Sequence, residues 1–330
     1  MGSNRRYVVL GAGAVGCALG GALQVAGADV VLVARGAQLD ALQRRGLDLA
    51  LPSRTIHLAV EAVAGPGAIR FEPRDVVLLC TKSQGSASAL AGLAAAAPRE
   101  VPVVCAQNGV SNEPLAAERF ARVYALVVFS PCQFVEPGRV SVHAEPVLGG
   151  LDIGRHPSGT DDVVEDLARD LTAAGFDARA EPRIERFRYA KLLSNLSNAV
   201  QALAGEAALA SPLTARLRAE GEACLRAAGI DFAPLDELYA RNGAVRDLPV
   251  DGARRGGGST WQSLSRGTGS IETDYLNGAI VALGEEHGVP TPANRAVLAL
   301  ARRAAEERWL PERLTVAELE AAVARVDAGG

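Results

Sequence analysis

Short apolar runs alternate with segments of helical character through the first half of the chain. Tyr7–Leu10, Asp29–Ala34, Val76–Cys80, Val101–Ala106 and Val123–Phe129 are Val- or Leu-rich blocks of strand length. Such composition marks strands buried on both faces. Helical segments lie between them, among them Gln38–Arg45 and Ser86–Ala96. The alternation predicts an α/β domain built on a doubly wound parallel sheet. From Gly138 to Ile153 the pattern turns Val- and Gly-rich, which predicts edge strands, and a helix over Asp161–Ala174 with a strand near Phe176–Ala180 closes the domain. After Pro182 the period changes. Ile184–Leu203 and Glu272–Glu286 repeat apolar residues every three or four positions, and they predict long helices. Breaks fall at Gly256-Gly257-Gly258 and at Gly288-Val289-Pro290.

The first predicted strand runs into Gly11-Ala12-Gly13-Ala14-Val15-Gly16, followed by a small-residue helix and a second strand. In that context Gly11 permits the tight turn, Gly13 lets a pyrophosphate approach the backbone, and Gly16 lets helix and strand pack closely. The helix N-terminus offers N–H groups to the phosphates. Arg35 stands at the end of the second strand, twenty-two residues after Gly13. An acidic residue there would accept from a ribose 2′-hydroxyl, whereas a cation suits a 2′-phosphate, so the expected cofactor is NADP(H) rather than NAD. Thr81-Lys82-Ser83 and Gln107-Asn108-Gly109 also follow predicted strands, where ligands of such sheets sit. The expected organisation is an N-terminal Rossmann-type domain over 1–182, a cleft, and an all-helical C-terminal domain over 183–330.

Composition narrows the class further. The 330 residues are 48% hydrophobic and 22% charged, with a net charge of −4. Nothing in that balance favours nucleic acid or an anionic membrane surface. Five cysteines are scattered without C-x-x-C spacing, and the four histidines form no metal-like cluster. The cysteines read as small buried hydrophobes in a reducing compartment, and no metal is expected. No strongly apolar stretch reaches 18 residues and no hydrophobic leader opens the chain, so a cytoplasmic location is expected.

Candidate chemistry lies beyond Pro182. Lys191 and Asn195 are four apart on one predicted helix and share a face, which Asn198 continues. That polar stripe suits either a cleft wall with an acid and amide hydrogen-bonders or a buried polar network between helices. Ser259-Thr260 follows the glycine run and is placed to cap a helix, while Glu272 and Asp274 open another polar segment.

Together GAGAVG, TKS (81–83), QNG (107–109), YAKLLSN (189–195) and ETDYLNG (272–278) resemble the ketopantoate reductase family over nearly the whole chain. The resemblance implies an NADPH-dependent oxidoreductase acting on CH–OH, which reduces 2-dehydropantoate to pantoate in pantothenate synthesis. It implies that Arg35 and Lys82 hold the 2′-phosphate end of the cofactor. Asn108 would lie near nicotinamide and substrate. Lys191 would be the general acid, and Glu272 the carboxylate that arranges lysine and substrate. Asn195 and Thr260 would bind substrate, and a homodimer formed through the helical domain is expected. The family pattern carries a second substrate-contacting Asn eight residues after the lysine, where this chain has Ala199. Asn198, one position earlier, would be turned about 100° around a continuous helix. That departure motivates a second reading, a reductase or dehydrogenase of another 2-oxo or 2-hydroxy acid. A non-catalytic NADP-binding sensor is the reading from a different class; it would keep the glycines and Arg35 without needing Lys191 and Glu272.

Overall fold

A computed structural model describes residues 3–267 and 269–328; Met1, Gly2, Thr268, Gly329 and Gly330 lie outside it. The chain forms two compact units. One comprises the residues up to Gln107, Ser111–Arg188 and Asp236–Arg255; the other comprises Asn108–Val110, Tyr189–Leu235 and the residues from Gly256 on. The boundary expected at 182/183 thus lies six residues before the crossing after Arg188, and two short segments cross in addition.

In the first unit the strands are β1 (Arg6–Leu10), β2 (Asp29–Val33), β3 (Leu47–Ala50), β4 (Thr55–Leu58), β5 (Glu61–Val63) and β6 (Asp75–Leu79). They continue with β7 (Val103–Cys105), β8 (Val123–Phe129), β9 (Cys132–Glu136), β10 (Arg139–Val142), β11 (Gly150–Arg155) and β12 (Asp177–Ala180). Among the described residues the main sheet has the order β12-β11-β8-β7-β6-β1-β2-β5. Its neighbours pair in parallel except β11 with β8. Val8 of β1 stands opposite Val31 on one side and Val77 on the other.

Because side chains alternate across a strand, β1 feeds two cores. Tyr7 and Val9 pack with α1 (Ala14–Val25) and, in the same core, Val164 and Leu167 of the later helix Asp162–Ala173. Val8 and Leu10 pack on the opposite face with Leu90 and Leu93. The remaining helices of this part are α2 (Gly36–Arg45), α3 (Ser86–Ala94), α4 (Asn112–Ala117) and α5 (Asp162–Ala173). The side chain of Asp161 caps α5 by accepting from the backbone of Val163 and Val164.

Three expectations need correction, one of them at Glu272–Glu286, where the 3-10 turn Thr273–Tyr275 comes first and the helix starts only at Asn277. The Gly138–Ile153 region does not form edge strands. β10 lies between β3 and β9 in a separate four-stranded sheet, β4-β3-β10-β9, and β11 is interior to the main sheet, whose edge is β12. Residues 184–203 do not form one helix either. They form α6 (Ile184–Asn195) and α7 (Asn198–Ala204). At the break the Ser197 hydroxyl donates to the Ser194 carbonyl, and Asn277 Nδ2 donates to the Leu196 carbonyl at 3.0 Å. Side chains thereby engage carbonyls next to the break, competing with the helical ladder.

The helical part continues with α8 (Pro212–Ala227), α9 (Leu235–Arg241), α10 (Ser259–Ser265), α11 (Asn277–His287), α12 (Pro292–Glu306) and α13 (Val316–Ala328). Leu193, Leu196, Val200, Leu217, Ile280 and Val297 form the heart of the second unit's core. The excursion from Asp236 to Arg255 belongs to the first unit. Arg241 clasps Asp152 and Glu181 at 2.8 Å each and stacks on Phe187, 3.8 Å from the ring centre.

Candidate active site

Within the first unit three loops follow three adjacent strands. β1 lies between β2 and β6, and the strand order reverses direction at β1. The residues at the C-terminal ends of these strands are Gly11–Gly16, Arg35 and Lys82. Such a reversal is where open α/β sheets bind their ligands. The glycines differ in what surrounds them. Gly11 has φ +114°, and a Cβ on it would lie 2.7 Å from the Thr81 backbone nitrogen. A Cβ on Gly16 would lie 2.1 Å from the Gly11 carbonyl oxygen and 2.9 Å from Val9. Gly13 precedes α1 and has open space where its Cβ would be. Tight packing at two positions and an open face at the third is the cradle that a pyrophosphate needs, so these residues fit a dinucleotide. Ala12 is buried, while Ala14 and Val15 are half-buried. Arg35 is exposed at the start of α2, and Lys82 is half-buried ahead of the 3-10 turn Ser83–Gly85.

Sequence reasoning missed the residues that brace these turns. Gln38 of α2 donates to the Ala12 carbonyl at 3.0 Å and accepts from Gly138 N at 2.8 Å. Gln107 Nε2 reaches the Thr81 carbonyl at 2.9 Å and Ser86 Oγ at 2.7 Å. Ser86 donates to Asn112, which in turn donates to Ser83. The Thr81–Ser83 turn and the end of β7 are therefore held by one buried network. The advance signals were that Gln107 sits next to a strand end and opens the QNG motif, and neither gave it a bracing role. Cys17 lies beneath the glycine turn, where burial pushes its thiol up to about 12, so it remains a protonated, unreactive packing residue.

The second unit gathers the polar residues expected to meet substrate. Asn108 and Gly109 belong to it. Gly109 has φ +85°, and a Cβ there would lie 3.0 Å from the Tyr275 carbonyl, so only glycine fits this turn against its neighbour. Asn195, 5% exposed, donates to Asn108 Oδ1 at 3.0 Å. Lys191 lies one turn before Asn195 on α6 and is half-buried. Thr260 on α10 is 1% exposed, and its hydroxyl has no hydrogen-bond partner among the described residues. The Ser259 and Thr273 hydroxyls are buried in the same condition. Glu272 is buried just before the 3-10 turn Thr273–Tyr275. Partial burial holds the Arg266 guanidinium below its ordinary value, and the nearby charge of Glu272 works against that shift. Arg266 is thus an electrostatic neighbour of Glu272 that the sequence did not single out.

The expected stripe of Lys191, Asn195 and Asn198 on one helix is not formed. The break at Leu196–Ser197 places Asn198 at the start of α7, where its Oδ1 lies 3.6 Å from the Cβ position of Gly258. The turn of about 100° argued for Asn198 assumed a continuous helix and does not apply. Ala199 is 1% exposed and packs in the second unit's core.

Among the described residues no group of three His, Cys, Asp or Glu is placed to hold a metal, and no helix is long and apolar enough to cross a membrane.

The family model described as ketopantoate reductase PanE/ApbA matches residues 7–158, and its C-terminal counterpart matches 183–305. A 2-dehydropantoate 2-reductase of Mesorhizobium japonicum is 32% identical, covering 92% of this chain and 98% of the relative. One from Archaeoglobus fulgidus is 30% identical over 90% of this chain and 97% of its own. A PanE/ApbA family ketopantoate reductase from Ralstonia eutropha JMP134 superposes with a TM-score of 0.77 at 29% identity, covering 92% and 99% of the two chains. D-mandelate dehydrogenase, solved with NADH and anilino(oxo)acetate, shares the fold, with a TM-score of 0.79 at 18% identity and the same coverage.

Proposed function

The chain belongs to the ketopantoate reductase family, an oxidoreductase acting on CH–OH, and from that premise we propose that it reduces 2-dehydropantoate to pantoate with NADPH. The observation that carries the reading is the Asn195–Asn108 hydrogen bond one helical turn from Lys191. It joins the residue expected beside the nicotinamide to the helix that bears the expected acid.

Gly11 to Gly16 would cradle the pyrophosphate, and Arg35 with Lys82 would neutralise the 2′-phosphate. When bound, NADPH supplies the hydride that forms the new C–H bond at C2. The lysine ammonium of Lys191 donates the proton that the carbonyl oxygen takes up as its π bond breaks, and solvent then restores that proton. Asn108 and Asn195 orient the keto acid by amide hydrogen bonds. The Thr260 hydroxyl, buried without a protein partner, donates to the substrate carboxylate; an unpaired buried hydroxyl is costly, and a ligand oxygen removes that cost. Glu272 holds the lysine in its working arrangement. The enzyme on this reading works in the cytoplasm as a homodimer and takes a small 2-oxo acid.

A second reading, reduction of a different 2-oxo acid, is favoured by Ala199. The position expected to carry a substrate-binding Asn is a core alanine. Consumption of NADPH and of NADH, followed by nicotinamide absorbance across a panel of 2-oxo acids, separates the two. The leading reading predicts 2-dehydropantoate as the best substrate with NADPH preferred. Weak turnover of it beside good turnover of another acid decides for the second.

A further inference from the structure

Two segments of the chain are tied twice, once on each side of Lys191. One segment is the 107–109 turn with α4 after it, and the other is α6. Asn195, four residues after Lys191, bonds to Asn108 at 3.0 Å. Arg188, three residues before Lys191, forms an ion pair with Glu113 of α4, and the two side chains are only 3% and 0% exposed. Neither member of this pair belongs to the cofactor turns or to the polar residues assigned to the substrate.

The surroundings of Glu113 make its charge conditional. Arg188 and Glu185 face it from α6, His156 from the loop after β11, and Cys105 from β7. Glu185 lies 3.9 Å from Arg188 and 2.8 Å from His156 Nδ1. Loss of solvation raises the Glu113 carboxyl to about 7, against the pull of Arg188 and with the help of Glu185. Phe187, buried and stacked beneath the Arg241 guanidinium, holds the same turns of α6 through a contact that does not involve Glu113. Neutralising Glu113 is therefore expected to loosen the register of the helix while leaving it docked.

We propose that Glu113 is a positioning residue for Lys191, fixing through Arg188 the turn of α6 on which the lysine sits. The proposal rests on the reading of Lys191 as proton donor. Its sign follows from the carboxyl. Above about pH 7 Glu113 is ionised and the tie is a full ion pair; as pH falls through that value the proton neutralises it and turnover drops.

The test is the pH profile of kcat from pH 5.5 to 9 in wild type, Glu113→Gln, His156→Asn and Lys191→Ala, with NADPH affinity measured alongside. Glutamine mimics the protonated carboxyl. Glu113→Gln is expected to show no acid limb and to sit at the low-pH value of wild type throughout. At pH 8 its kcat is lowered on the order of tenfold, below the roughly hundredfold that a 1 Å misplacement can cost, with NADPH affinity unchanged. His156→Asn is expected to keep the limb. Wild-type kcat in Glu113→Gln, a limb that persists in it, or a limb that vanishes with His156 overturns the proposal. Lys191→Ala is expected to lose turnover by about 10² to 10⁴. Near-normal turnover there sinks the proton-donor reading and the positioning role together, whereas a collapsed Lys191→Ala beside a normal Glu113→Gln sinks the positioning role alone. Should Glu113→Gln fail to fold, amide hydrogen exchange on the wild type carries the test. Protection factors of residues 189–195 are expected to fall as pH drops below 7, and constant protection overturns the proposal.

Discussion

Beside the strand-end turns of the first unit, Gln107, Ser86, Asn112 and Ser83 pass hydrogen bonds from one to the next, with Gln107 Oε1 alone of that network unpartnered among the described residues, and Gln38 braces the glycine turn. Around α10 in the second unit, Thr260 and Ser259 bury hydroxyls that no described residue partners. A connected network makes a rigid scaffold, since each member fixes the next. An unpartnered buried hydroxyl costs about 1–3 kcal/mol, and a ligand oxygen that completes it removes that cost. On this account the first unit shapes backbone for a cofactor and the second holds side chains in reserve for a substrate. On the same account the expected cofactor cradle relies on three glycines, at positions 11, 13 and 16, for what they leave out, while the expected substrate residues are Lys, Asn, Thr and Glu.

Substitutions in the two regions are expected to separate accordingly. Of the effects on binding, the larger falls on the cofactor. Arg35→Asp replaces a cation with an anion where a 2′-phosphate would lie, and NADPH affinity is expected to fall on the order of a hundredfold. NADH binding changes little in the same titration. An unchanged preference makes Arg35 a surface residue and removes the electrostatic half of the contrast. A smaller effect falls on the substrate side. Thr260→Val keeps the shape and removes the hydroxyl, so KM for the keto acid is expected to rise on the order of tenfold. The melting temperature of the ligand-free protein stays level or rises, because no internal hydrogen bond is lost. A clear drop in melting temperature with KM unchanged would mean that the hydroxyl serves the fold.

Much of this was legible in the residues. The five central strands and the glycine turn were readable because each strand is a compact apolar block and each glycine has a steric reason. The second sheet was not. β3 and β4 are four residues each and hug a short turn through Pro52, too brief for a period to emerge. The break between α6 and α7 was hidden because half its cause, the Asn277 amide on the Leu196 carbonyl, comes from a distant helix. The fate of Asn198 followed from that break. The Arg188–Glu113 pair was equally invisible, since nothing in either local sequence marks a partner far along the chain. Local chemistry was therefore readable wherever one segment determined it, and unreadable wherever two had to meet.

The central claim is that Lys191 supplies the proton to a 2-oxo acid oriented by Asn108, Asn195 and Thr260. Its most direct test is a crystal structure with NADP⁺ and a non-reacting 2-oxo acid. The account predicts Lys191 Nζ within about 3 Å of the 2-oxo oxygen, with the Thr260 hydroxyl on the carboxylate. A different side chain or an ordered water at that oxygen, with Lys191 turned elsewhere, would contradict it.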